Sequence, residues 1–152
     1  MAIDISEATV ADLEAVSALC LRSKAMWGYD ADFMVACRNE LILHAADLRG
    51  TQVAVGRQDD EIVAMAQLQI DGDSCELLKL FVDPASVGRG IGKIMLDWAT
   101  AAAVRARAHH MRIEADPNAA PFYAAMGAVE IGKVASGSIA GRTLPVLRLT
   151  LV

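Results

Sequence analysis

Apolar and polar positions along this chain fall into two rhythms, one of period two and one near 3.6. Residues 2–5 alternate and predict a short strand. After a break over residues 6–9, Val10, Leu13, Val16 and Leu19 or Cys20 recur at helical spacing, so a first helix is expected to run to about Ser23. Thr9, three residues before Asp12, has the form of a capping box. Residues 24–30 read as a loop of large side chains. A second helix follows over about residues 31–43, with Asp30 as its cap. From Thr51 the period changes. Residues 52–56, 61–70 and 75–82 predict three strands in a meander, with turns at 57–60 and 71–73. The longest helical stretch spans about residues 93–106 and is followed by a strand at 111–115. A helix over 119–126 stops at Gly127, and strands at 129–134 and 143–151 are joined by a turn at 136–141.

The element order is therefore β-αα-βββ-α-β-α-ββ, with no internal repeat and no low-complexity linker. Strands first grouped and then alternating with helices imply an α/β or α+β sandwich: a mixed sheet with about four helices packed on its faces. At 152 residues the chain suits one domain, 1–152, with a single sizeable core.

Composition changes this picture little. The apolar fraction is 55%, but 28 of those residues are alanines, small and helix-favouring. Asp97, Arg105 and Arg107 interrupt the most apolar stretch, so no run reaches the ~18 apolar residues of a membrane span. Asp4 stands where a signal peptide needs a basic flank, and a cytoplasmic location is the expectation.

Charge is more telling. The net charge of −5 argues against a nucleic-acid binder. It divides unevenly, however: residues 1–86 carry 6 Lys/Arg against 15 Asp/Glu, and residues 87–152 carry 8 against 4. An acidic front half thus precedes a basic back half. Cys20, Cys37 and Cys75 are too widely spaced for a disulfide framework or a zinc knuckle, and His44, His109 and His110 lack ligand spacing, so no metal is expected.

The most informative stretch runs from Leu80 to Leu96. A strand, a turn and a helix meet there, with Gly88, Gly90 and Gly92 at the helix entrance and Arg89 and Lys93 in the same turn. Glycines at such a place let backbone N–H groups approach an anion, and the helix dipole adds positive potential. Two familiar phosphate loops fail on spacing. A dinucleotide fingerprint would need a third glycine where Lys93 or Met95 stands, and a Walker loop would need glycine at Val87 and Ser or Thr at Ile94.

The turn resembles the signature of the GNAT superfamily of acyl-coenzyme A-dependent N-acyltransferases, which reads Gln or Arg, two residues, Gly, one residue, Gly or Ala. Gly90 and Gly92 match, while Val87 departs at the first position and removes one side-chain contact. Downstream, residues 116–128 are similar to the family's Asn-x-x-Ala-x-x-Phe-Tyr-x-x-x-Gly-Phe segment through Asn118, Phe122, Tyr123 and Gly127. Pro121 and Ala128 depart.

The resemblance implies a GNAT-like, mostly antiparallel seven-stranded sheet and acetyl-coenzyme A as co-substrate, with the thioester in a splay between the fourth and fifth strands. Phe81 and Val82 would offer backbone groups to the pantetheine and the acyl carbonyl. Val87, Gly88, Arg89, Gly90, Gly92 and Lys93 would surround the pyrophosphate, and Asn118 would hold the pantetheine arm. Tyr123 would protonate the departing thiolate, the alternative being a plain core aromatic beside Phe122. Glu76 is the first candidate for the general base, with Glu114 and Asp116 in reserve. Cys75 offers a competing covalent route, but no histidine stands near it in sequence to activate it. The acceptor, a small-molecule or peptide amine, would meet the loop carrying Lys24, Trp27, Tyr29 and Asp30, with Asp32 beyond. A homodimer is a further expectation of the family. The rival readings are a sensor that binds acyl-coenzyme A without catalysis, or a transferase of another acyl group. The charge division would then place an anionic cofactor at the basic half and a cationic amine at the acidic half.

Overall fold

The computed structural model describes residues 2–151; Met1 and Val152, the ends of the expected 1–152 domain, lie outside the described residues. Strand β1 (Asp4–Glu7) leads through a 3-10 turn (Val10–Asp12) into helix α1 (Leu13–Ala25). Helices α2 (Ala31–Leu41) and α3 (Ala45–Gly50) follow. Strands β2 (Gln52–Gln58), β3 (Glu61–Asp71) and β4 (Ser74–Val82) form the meander. Helix α4 (Ile91–Arg105), strand β5 (His110–Glu114) and helix α5 (Ala120–Ala125) come next, then strands β6 (Val129–Ala135) and β7 (Thr143–Thr150). The seven strands make one sheet in the order β1-β2-β3-β4-β5-β7-β6. All neighbours are antiparallel except β4 and β5.

Each face of the sheet buries its own core. On one face, α4 lays Ile91, Met95, Leu96, Ala99, Ala102 and Ala103 against Ala64, Ala66, Leu68, Leu77 and Ile113. The abundant alanines thus have a structural use: small residues on both partners let the helix sit close to the strands. On the other face, Val16, Leu19 and Cys20 of α1 and Cys37 and Leu41 of α2 cover Val53, Val55 and Met65.

Three expectations need correction. Among the described residues there are five α-helices where about four were expected, because α3 is only six residues long and too short to display a periodicity. Helix α2 ends at Leu41, not Leu43. Ile42 turns extended, and the N–H of buried Leu43 donates to Ser17 Oγ (2.9 Å), so Leu43 leaves the helix to fill the core. Helix α4 begins two residues early, at Ile91, with Gly90 as its cap. Among the described residues, no helix is long and apolar enough to cross a membrane.

Candidate active site

Strands β4 and β5 pair only over Ser74–Glu76 and His110–Arg112. Beyond that point β4 continues on β3 as far as Val82, and β5 continues on β7 to Glu114. The sheet therefore splits into two lips, with a cleft of about 790 Å³ between and around them. Its walls include Leu77–Val82, Ile113–Asp116, the start of α4 and the end of α1. One further irregularity shapes it. Gln67 faces Lys79 while Leu68 faces Leu77, so Leu78 is an extra residue, a bulge that bends β4 and shifts the side-chain alternation. Leu80 and Val82 then join the α4 core, and Phe81 joins the α1 core.

At the end of β4 the chain is pinned before it enters the glycine turn. Asp83 accepts from the N–H of Ala85 (3.1 Å) and pairs with Arg22 of α1 (2.7 Å). Gly88 and Gly90 then take φ of +79° and +78°, a region costly for other residues. A Cβ on either would meet no protein atom within 4 Å. No side chain caps α4, so its first-turn N–H groups stay free beside the open turn. This arrangement fits a pyrophosphate on chemical grounds: free backbone donors, positive dipole and no protein atom in the way. Gly92 has another use. A Cβ there would come within 3.3 Å of the Phe122 ring, so its absence lets α5 pack against the start of α4.

The other residues of the turn divide. Val87 is extended and, with Gly88, Gly90, Gly92 and Lys93, lines the cleft. Lys93 pairs with Asp97 on the helix surface (2.8 Å). Arg89 is exposed and its side chain is not part of the cleft wall.

Pro121 falls in the first turn of α5, where no N–H is required of it, so its departure from the family pattern is locally harmless. Tyr123 is 6% exposed and makes an edge contact with Phe122. Burial pushes its phenol well above the usual tyrosine range. Among the described residues no buried side-chain oxygen lacks a partner, and Tyr123 makes no side-chain hydrogen bond. Its hydroxyl is therefore not sealed in the core, and the residue lines the cleft.

A polar knot closes the far wall. Asp116 Oδ2 accepts from Lys24 Nζ (2.6 Å), Tyr29 Oη (2.8 Å) and Arg142 Nη2 (3.4 Å), and Oδ1 accepts from the N–H of Asn118 (2.8 Å). Tyr29 Oη accepts in turn from Asn118 Nδ2 (3.0 Å) and Arg142 Nη2 (2.7 Å). The Tyr29 ring stacks on Phe33. Burial alone would raise the Asp116 pKa, but hydrogen bonds from Lys24, Asn118 and Tyr29 hold it below the ordinary value. Burial, then the bond and charge of Asp116, push Tyr29 up to about 12. The expected acceptor loop is thus largely committed: Lys24 and Tyr29 serve the knot, and Asp30 caps α2 through Phe33 N (2.8 Å). Asp32 is exposed outside the cleft wall. Trp27, 42% exposed, does line the cleft.

Glu76 does not reach the cleft. It stands in the last paired rung of β4 and β5, opposite Arg112, whose guanidinium pairs with it (3.5 Å) and with Glu114. Burial and then the neighbouring Glu114 carboxylate raise its pKa. Glu114, two residues further along β5, is the member of this group that lines the opening. Cys75 is also remote from the chemistry: its thiol lies at the closed end, donates to the His110 carbonyl (3.5 Å), and is pushed up to about 11 by burial. Among the described residues, no group of three His, Cys, Asp or Glu could hold a metal ion.

Sequence reasoning missed Arg142, Glu40 and Lys79. Arg142 lies in an irregular turn with no periodic signal. Glu40 looks like any surface residue of α2, yet it lines the cleft. Lys79 carried a signal, being a cation inside the apolar run Leu77-Leu-Lys-Leu-Phe-Val82.

The family model for the acetyltransferase (GNAT) domain matches residues 49–127, more than half of the chain and most of the cleft. The chain belongs to the GNAT acetyltransferases. Solved structures with the same fold include the PaiA N-acetyltransferase of Thermoplasma acidophilum in complex with coenzyme A, at a TM-score of 0.80 and 19% identity over 99% of each chain. The ribosomal-protein-S18-alanine N-acetyltransferase of Escherichia coli gives 0.74 at 17% identity, over 99% of this chain and 94% of that one. The yncA structure from Salmonella typhimurium, with its cofactor acetyl-CoA, gives 0.71 at 21%, over 100% and 95%. A search of curated proteins by sequence found no match.

Proposed function

We propose that this GNAT chain transfers the acetyl group of acetyl-coenzyme A directly to a primary amine bound in the same cleft. One observation carries the reading: the split between β4 and β5, the uncapped glycine turn at α4 and Tyr123 all belong to one opening. The coenzyme A and acetyl-CoA held by the PaiA and yncA proteins of the same fold support the choice of donor. Acetyl-coenzyme A, when bound, supplies a thioester whose carbonyl carbon an unprotonated amine can attack.

The chain's own groups have these roles. Backbone N–H groups of Gly88–Lys93 hold the pyrophosphate. Phe81 and Val82 offer backbone groups to the pantetheine and the acyl oxygen, where charge develops. Asn118 takes part through the far wall. Tyr123 keeps its proton throughout the neutral range, because burial raises its pKa, and donates it at Oη to the departing sulfur. Glu114 is the base, receiving a proton from the incoming ammonium directly or through water. Asp116 is unsuited to that task, since hydrogen bonds from Lys24, Asn118 and Tyr29 occupy its oxygens and hold its pKa below the ordinary value, so it resists taking up a proton. The remoteness of Cys75, whose raised pKa and core contacts oppose thiolate formation, supports direct transfer over a covalent route.

Tyr123→Phe tests the assignment. Turnover is expected to fall about 10²–10⁴-fold, with coenzyme A affinity changed by less than about twofold. Steady-state kinetics beside calorimetry read both quantities. Unchanged turnover removes the role from Tyr123.

A further inference from the structure

The cleft contains a cation that the reaction as described does not use. Lys79 follows the bulge at Leu78, which turns it toward the face of the sheet covered by α1 and α2. Lys24 and Lys93 also line the cleft, but each is paired with a carboxylate. Lys79 forms no ion pair among the described residues. Its Nζ donates instead to Gln67 Oε1 (3.1 Å). Gln67 is 1% exposed, and its amide nitrogen donates to Thr51 Oγ1 (3.1 Å) and Asp47 Oδ1 (3.4 Å). Those two acceptors fix which end of the amide faces Lys79. The ammonium is thus held in place by one neutral oxygen, with its remaining donors and its charge left to the cleft. A partly buried cation with a single neutral partner is costly unless an anion joins it.

The opposite lip bears the complementary charge. Arg112 and Glu114 alternate with the core residues Met111 and Ile113, so Glu114 lies on the same sheet face as Lys79, across the split. One lip offers an ammonium, and the other offers the Glu114 carboxylate, which is paired with Arg112 of its own strand. We propose that Lys79 binds a carboxylate on the acceptor, so that the acceptor is an amino acid or a similarly small molecule with a carboxylate close to its primary amine. Its amine would lie toward Glu114 and its carboxylate on Lys79. This rests on the amine-acetylation reading given above. It adds to the expectation of a cationic amine at the acidic half, because Lys79, a cation of that half, also lines this wall.

The test compares free L-amino acids, their amides and the corresponding decarboxylated amines, with turnover read by thiol release and binding by calorimetry. Wild-type kcat/KM is expected to favour the acids by at least about tenfold, as a charge-assisted contact would give. Lys79→Met should raise the KM for the acids about tenfold or more, erase the preference and leave the KM for acetyl-coenzyme A within about twofold; Lys79→Arg should restore part of it. Equal use of acids and amides by the wild type overturns the proposal, as does a Lys79→Met that slows both alike. Should Lys79→Met fail to fold, the wild-type comparison decides alone. Should no amine be acetylated, the transfer reading fails separately. Amino-acid binding that Lys79→Met abolishes would still uphold the carboxylate site, and absence of such binding would overturn it.

Discussion

Gly90→Asp is expected to weaken coenzyme A binding by at least about 100-fold while leaving the chain folded. The position tolerates the side chain sterically, since an added Cβ meets no protein atom within 4 Å. The left-handed φ of +78° adds a cost of about 1–2 kcal/mol, which a domain of this size survives. The carboxylate, however, would stand beside the free N–H groups of α4 and compete for them. Two unit charges about 4 Å apart at an effective dielectric of ~20 repel by about 4 kcal/mol. A 100-fold loss needs only about 2.7 kcal/mol, so the estimate is conservative. Calorimetric titration with coenzyme A, beside circular dichroism to check the fold, measures it. An affinity within about threefold of wild type would remove the pyrophosphate from this turn.

Asp116→Ala is expected to destabilise the protein by about 3–5 kcal/mol, the cost of leaving buried cations without their anion. The side chains of Asp116, Lys24 and Arg142 are only 9%, 13% and 19% exposed, so water replaces little of the lost interaction. Tyr29 and Asn118 lose an acceptor at the same time. The pH dependence has a definite sign. Because the folded carboxyl titrates below its unfolded value, its contribution is complete above about pH 4 and fades as pH falls below that. The gap between wild type and Asp116→Ala in urea unfolding should therefore be constant near neutrality and narrow in acid. A difference under about 1 kcal/mol at pH 7 would mean that the knot contributes little to stability.

What could be read from the sequence was whatever depends on neighbours along the chain. The turn at residues 87–92 and the start of the short helix after Asn118 were legible because their local geometry needs only a short run of backbone. The order of strands and long helices was legible for the same reason. Glu76 was misplaced because the rung at which β4 leaves β5 is set by pairing across the sheet, and no local pattern marks it. The bulge at Leu78 is equally silent, yet it decides which face Lys79 presents. Arg142 reaches Tyr29 across more than a hundred residues of chain. The acidic front half also has a simpler local reason than an acceptor: Asp12, Asp30, Asp47 and Asp83 accept backbone N–H bonds at turns and helix starts.

We propose that this cleft moves an acetyl group from a thioester to an amine without an acyl-enzyme. Mass spectrometry after incubation with acetyl-coenzyme A and a panel of primary amines, amino acids included, tests it most directly. One free thiol should appear for each acetylated amine, with no acetyl group on the protein. Coenzyme A binding without any acetylated amine, or an acetyl group on Cys75 that passes to the amine, would contradict it.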